Sequence, residues 1–252
     1  SCAVATPPTA NGSSSGSRST DQLLPVFGAH NPEVRAFQNC VFDLPPFPET
    51  ERGPRVFYGA IDRGPFAVEV ARALAPAIEA FPSVEFHVVG DRAVFDALPT
   101  ARKRFDPLLP YARYLAAMAE CSVSLSPIMA APMVETKSDA KYLDAARAGV
   151  LTLASPVLYD RVIRHGENGL LARSISDWPR LLTFALADAP ARQRMSRAAW
   201  EDVRGRRMFS QQIAERRDWY RDLLRRREVL NRALVERSLG VAAALAKLRS
   251  VG

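Results

Sequence analysis

The period of apolar and polar positions changes along the chain. Arg55-Val56-Phe57-Tyr58-Gly59-Ala60-Ile61 and Val84-Glu85-Phe86-His87-Val88-Val89-Gly90-Asp91 are short runs of β-branched and aromatic residues, the lettering of buried strands. Between them, Phe66 to Ala80 carries apolar residues at helical spacing, with Pro65 suited to a first turn, where no backbone N–H is needed. Residues 110–120 then predict a helix, 121–125 a strand, 139–148 a helix closed by Gly149, 150–154 a strand and 170–172 a short further strand. Strand–helix–strand repetition at this spacing predicts an α/β fold, a doubly wound parallel sheet covered on both faces. After residue 176 the strands stop. Helices are predicted over 177–187, with Ser176 as cap, and over 189–204, 209–227 and 228–249.

Residues that break regular structure divide the chain. Residues 7–20 are small, polar and turn-forming, which predicts a flexible loop. Residues 34–42 look strand-like, and Pro45, Pro46, Pro48 and Pro54 then forbid regular structure by fixing φ and removing donors. The expected order is a tail and linker over 1–54, a Rossmann-like domain over 55–188, helices over 189–228 that pack on it or cross back to another half, and a helical extension over 229–252. The chain opens without Met and is expected to be part of a longer protein.

Composition narrows the chemistry. With 48% hydrophobic and 24% charged residues in 252, the chain has the make-up of a soluble globular protein. No run reaches the roughly 18 apolar residues of a membrane span, and no signal peptide is visible. Cys2, Cys40 and Cys121 are too scattered for a disulfide framework, so a reducing, cytoplasmic setting is expected. His30, His87 and His165 form no metal-ligand spacing, so no protein-held metal is expected. The net charge of +7 comes from residues 189–252, where lettering such as Arg216-Arg217-Asp218-Trp219-Tyr220-Arg221 reads as the solvated face of an amphipathic helix. The other reading is contact with an anionic membrane surface or another domain. A specific nucleic-acid module would interleave more aromatics with its basic residues.

In an open parallel sheet, ligands bind beyond the carboxyl ends of the strands, where loops feed helix N-termini. Three loops qualify. In Gly59-Ala60-Ile61-Asp62-Arg63-Gly64-Pro65, Gly59 permits close backbone approach and Arg63 can meet a phosphate with two N–H groups. The spacing is not GxGxxG, which speaks against a dinucleotide site. Gly90 ends the second strand where a side chain would crowd a ligand; the alternative is a simple turn. In Glu135-Thr136-Lys137-Ser138-Asp139-Ala140-Lys141-Tyr142-Leu143-Asp144, Ser138 and Asp139 are cap residue types at a helix start whose free N–H groups favour an anion. Lys137 and Lys141 would flank that start as a diphosphate cradle, and Asp144 would reach ribose hydroxyls one turn deeper. An ordinary capped surface helix with a Lys141–Asp144 pair is the alternative.

The order of the first Gly59 strand, Val88-Val89-Gly90-Asp91, Tyr111-Ala112-Arg113-Tyr114-Leu115, Lys137-Ser138-Asp139-Ala140-Lys141-Tyr142-Leu143-Asp144-Ala145, Gly149-Val150, Ala154-Ser155 and His165-Gly166-Glu167-Asn168-Gly169-Leu170-Leu171 resembles the donor-binding half of GT-B glycosyltransferases, nearest the retaining family 4 group. The resemblance covers about residues 34–228. It implies transfer of a sugar, with retention, from a UDP- or GDP-type nucleotide-diphosphate sugar, no permanently bound cofactor, and a role in cell-envelope or polysaccharide glycosylation. It also implies a partnering N-terminal half that carries the acceptor side, so that this piece alone is inactive, in the cytoplasm or at the inner face of the membrane. It assigns Arg63, Lys137, Ser138, Asp139 and Lys141 to the donor diphosphate and Asp144, in place of the family's Glu, to the ribose. The family's sugar-contacting acid lies eight residues earlier. Thr136 stands there, with Glu135 adjacent, and this departure favours the alternative of a non-catalytic, nucleotide-sugar-binding domain.

Overall fold

The computed structural model describes residues 23–131, 134 and 136–249. The predicted loop over 7–20 lies outside the described residues. A short helix α1 (Leu24–Gly28) precedes six strands: β1 (Arg55–Gly59), β2 (Glu85–Val89), β3 (Lys103–Asp106), β4 (Val123–Ser126), β5 (Leu151–Ala154) and β6 (Leu170–Leu171). They form one sheet in the order β3-β2-β1-β4-β5-β6. All neighbouring pairs are parallel; Val56 of β1, for example, lies opposite Phe86 on one side and Val123 on the other. The winding therefore reverses between β1 and β4, which opens a crevice at their carboxyl ends.

The two-residue period of the strands sorts their side chains onto two faces. Val56, Tyr58, Phe86 and Val88 join α2 (Gly64–Ala73), α3 (Ala75–Ala80) and α4 (Arg92–Ala97) in the largest core, which Trp178 completes. Phe57 and Val89 face the other way, against Ala117 and Met118 of α5 (Tyr111–Ala119) and Ala145 of α6 (Ala140–Arg147). A third cluster joins Tyr142 and Leu143 of α6, Leu158 and Tyr159 of α7 (Pro156–Tyr159), and Ala199 and Val203 of the long helix α9 (Ala189–Arg206). Each large apolar side chain so buried contributes about 1.5–3 kcal/mol. Trp178, wholly buried on α8 (Asp177–Ala187), is a structural residue.

Several expectations change. The helix expected over 66–80 is broken at Leu74, because Pro76 has no N–H for the carbonyl of Arg72; Leu74 instead donates to Ala71 at 3.4 Å. Residues 34–42 form no strand; Val34 and Val41 each make only an isolated bridge, that of Val41 to Met208. The Ser176 side chain makes no cap bond. Asp177 takes up the preceding turn instead, accepting N–H groups of Arg173 and Ser174 at 3.0 Å each. Strand β3 and helices α4 and α7 were not expected.

The chain forms two compact units, one through Met208 and one from Phe209. The second holds α10 (Phe209–Arg225) and α11 (Arg227–Arg249), with Ile213, Tyr220 and Leu224 exposed along α10. Among the described residues, no helix is long and apolar enough to cross a membrane.

Candidate functional site

A cleft of about 520 Å³ opens at the crevice, lined by Arg63 from the β1–α2 loop, Leu108 and Leu109 after β3, Tyr111 and Tyr114 of α5, Lys137, Ser138, Ala140, Lys141 and Asp144 at the start of α6, and Leu158 and Tyr159 of α7. Loops after four parallel strands thus supply one cavity. Three cations, from two loops far apart in the chain, border it.

The Arg63 loop is held from below. Asp91 caps α4 by accepting the N–H of Val94 at 3.2 Å. Its other oxygen accepts the Tyr58 hydroxyl at 3.0 Å and the Arg63 N–H at 3.2 Å. Burial and the Asp91 charge push the Tyr58 hydroxyl far above its usual range, so it stays a donor. Just before Arg63, Asp62 takes a left-handed φ of +37°, with its carboxylate accepting the Gly64 N–H at 3.2 Å. Such a conformation in a non-glycine residue persists only where surroundings enforce it. The guanidinium that this turn positions is incompletely satisfied. Arg63 Nη1 is buried and finds no hydrogen-bond partner among the described residues, a condition that costs about 1–3 kcal/mol unless something else binds there.

Lys141 approaches from the opposite wall. Its ammonium donates to the Gly59 carbonyl at the end of β1, stands 3.4 Å from the Tyr114 hydroxyl and lies 5.5 Å from the centre of that ring. Burial, reinforced by the Arg63 charge and only partly opposed by Asp144, lowers its pKa to about 8. Two cations in one concave space favour an anion between them. Lys137 is exposed at the rim and Ser138 is partly buried. Asp144 is desolvated, which raises its pKa, while the Tyr111 hydroxyl donates to its Oδ1 at 2.6 Å and opposes that shift.

Three sequence-based assignments are corrected. Asp139 does not face the cleft: it is buried and grips Arg207 with both oxygens, at 2.9 and 3.0 Å, while Arg207 also reaches the Asn39 carbonyl at 2.8 Å. Its carboxylate would repel an anion, and pairing it with a buried guanidinium removes that obstacle. The space beside Gly59 is taken by the protein's own rings, since an added Cβ would stand 2.5 Å from Tyr114 and 2.6 Å from Phe57. Gly90 has φ +85° and an added Cβ would stand 2.8 Å from the Ala60 carbonyl, so its freedom serves the turn rather than a ligand. Thr136 lies in the turn before α6, and Glu135 is outside the described residues. Sequence reasoning gave no role to Arg207, nor to Asp91, Tyr111 and Tyr114, which entered only among the residues of the resemblance. The YxxY spacing at the start of α5 was a usable signal for the two tyrosines, but its position over the cleft followed only once β3 was known.

The His165–Leu171 turn is structural. Asn168 is fully buried, and the two N–H groups of its Nδ2 are shared among the Tyr142 hydroxyl, the Val162 carbonyl and Asp202 at 3.0, 3.0 and 2.6 Å, while His165 Nδ1 accepts the Leu171 N–H. Among the described residues, no three His, Cys, Asp or Glu side chains are grouped to hold a metal ion.

The family profile described as glycosyl transferase-like matches residues 66–217. No curated protein matches the chain. Among solved structures, a mutant of S. aureus TarM crystallised with fondaparinux, alpha-GlcNAc-glycerol and UDP superposes with a TM-score of 0.60 at 11% identity, over 79% of this chain and 42% of that one. Anabaena HepE in complex with UDP-glucose gives 0.53 at 16% identity, over 81% and 53%. The C-terminal domain of LpcC, a glycosyl transferase group 1 family protein from Francisella tularensis, gives 0.50 at 14%, over 63% and 89%. At these identities the likeness concerns the fold, and the chain spans about half or less of the TarM and HepE chains.

Proposed function

The chain belongs to the glycosyl transferase-like family, and from that premise we propose that its cleft grips the diphosphate of a nucleotide-diphosphate sugar, as the donor side of a sugar transfer that retains configuration. The observation that carries this reading is the buried Arg63 Nη1, without a hydrogen-bond partner among the described residues, opposite the desolvated ammonium of Lys141 in one cleft.

Breaking a sugar–phosphate bond places extra negative charge on the departing diphosphate. Cations fixed in advance meet that charge most strongly as the bond opens, which lowers the barrier rather than merely tightening donor binding. Arg63 supplies a planar fork, Lys141 a point charge already anchored, and Lys137 a charge at the rim; the N–H groups at the start of α6 add their dipole. Leu108, Leu109 and the Tyr111 ring offer an apolar wall for a base, and Asp144 a carboxylate for ribose. The solved structures with UDP or UDP-glucose favour a uridine donor. The acceptor and its activating groups belong to the remainder of a longer protein.

Titration calorimetry of the chain against ADP, CDP, GDP and UDP tests this. One nucleotide is expected to bind clearly above the rest, and Arg63→Ala with Lys141→Ala to weaken it about a hundredfold, the loss of two charge-assisted contacts. Equal affinity in the double variant would sink the assignment. Thr136, where the family places an acid, supports a second reading, in which the domain binds donor without turning it over. Donor hydrolysis by the full-length protein separates the two.

A further inference from the structure

Tyr111 is an anomaly among the cleft residues. Its side chain is 62% exposed, yet its hydroxyl is committed, at 2.6 Å, to a carboxylate that burial has made costly to ionise. The ring is held in place by a stack of aromatics: Tyr111 lies nearly parallel to Tyr114, 15° apart with centroids at 6.4 Å, and Tyr114 meets Phe57 edge-on at 5.2 Å. Gly59 leaves the room in which Tyr114 sits. The phenol is thus aimed by the sheet itself rather than left to sample solvent.

That geometry leaves acceptors open. A phenol that donates to a carboxylate keeps its own oxygen lone pairs, and giving its proton to an anion makes that oxygen the better acceptor. Asp144 has a second oxygen, for which no partner is seen among the described residues. Two acceptors therefore stand side by side at the cleft wall, matching two adjacent hydroxyls that both need to donate.

We infer that Tyr111 and Asp144 together form one reader of a vicinal diol, the Asp144 carboxylate taking one ribose hydroxyl and the Tyr111 oxygen the other, so that Tyr111 sets the preference for ribonucleotide over deoxyribonucleotide. This rests on the nucleotide-binding reading of the cleft. The ligand class it specifies is a ribonucleoside diphosphate with both hydroxyls free.

The test is calorimetric binding of ADP, CDP, GDP and UDP, with their 2′-deoxy and 3′-deoxy forms, to the full chain and to Tyr111→Phe. The phenylalanine keeps the stacked ring and removes only the hydroxyl at an exposed position, so the fold is retained. The unaltered chain is expected to favour the ribo form about tenfold over each deoxy form, one hydrogen bond's worth at a desolvated acceptor. Tyr111→Phe is expected to bind the ribo form about tenfold more weakly and to lose discrimination at one hydroxyl while keeping it at the other. A merely structural tyrosine would not change one ratio and spare the other. Unchanged ratios in Tyr111→Phe, or tighter binding that would make the phenol a competitor for Asp144, overturn the inference and leave the cleft's assignment standing. Absence of binding by any of the nucleotides overturns both.

Discussion

The two ends of the sheet are instructive side by side. At the amino ends of β1, β2 and β3, a recess of about 330 Å³ is lined by Arg55, Arg102, Lys103 and Arg104 together with Glu85, His87 and Glu120. It is richer in basic side chains than the carboxyl-end cleft, yet its charges are answered from within. Arg55 and Arg102 both pair with Glu85, at 3.3 and 2.5 Å, and Lys103 donates to the carbonyls of Phe95 and Leu98 at 2.8 Å. Arg104 lies 3.5 Å from Asp106, whose Oδ2 stands 2.6 Å from His87 Nε2, and burial keeps that imidazole below its usual range. In the cleft, by contrast, among the described residues Arg63 Nη1 has no hydrogen-bond partner and the Lys141 ammonium meets a carbonyl and a phenol. Counting positive side chains would choose the amino end. What marks a binding place is a cation whose hydrogen-bonding capacity the fold leaves unused.

The sharpest way to probe that contrast is at the helix start behind the cleft. Asp139→Asn leaves Arg207 buried without its counter-charge, and a loss of about 3–5 kcal/mol in urea unfolding is expected. A loss below 1 kcal/mol would mean that the pair is not what seats α6. The next effect is in pH. Lys141, with its pKa lowered to about 8, is charged in the ligand-free chain only below that value. Nucleotide affinity should therefore fall about tenfold from pH 7 to pH 9, and Lys141→Arg should flatten the profile. Folding stability should move the other way. The unfolded lysine still holds its proton between about 8 and 10.5 where the folded one does not, so this residue's contribution to stability rises with pH across that window. The smallest effect separates the two ends most directly. Arg63→Met should raise the melting stability of the ligand-free chain by about 1 kcal/mol by removing an orphaned donor, whereas Arg102→Ala with Arg104→Ala should leave nucleotide affinity within twofold, since half-exposed ion pairs carry little. Destabilisation by Arg63→Met would show that its fork has a partner in solution.

Much of the fold was legible because the strands that matter are buried on both sides. Val56 to Tyr58 is an apolar run, and Val123 to Leu125 and Leu151 to Leu153 are apolar but for Ser124 and Thr152, small or β-branched residues that a buried strand accepts; they became β1, β4 and β5. Strand β3, Lys103-Arg104-Phe105-Asp106, was missed because it lies at the sheet's edge, where charged side chains guard against pairing with another chain and erase the hydrophobic signal. Helices α4 and α7, six and four residues long, are too short for periodicity to register. In the site, Arg63 and Lys141 were readable from loop position and spacing. Asp139 was misread because its local context, a cap residue before a helix, matches a ligand site as well as it matches a tie to Arg207, 68 residues away. Local lettering gives residue type and neighbourhood; direction is set by distant partners.

Asp91 does not itself line the cleft, yet one carboxylate ties the top of β1, the turn that aims Arg63 and the first turn of α4 into a single joint. Repacking α4 against the sheet would therefore be transmitted, through that joint, to the angle at which the guanidinium enters the crevice. A substitution in a helix that does not border the cleft can then change how the cleft's cation is presented.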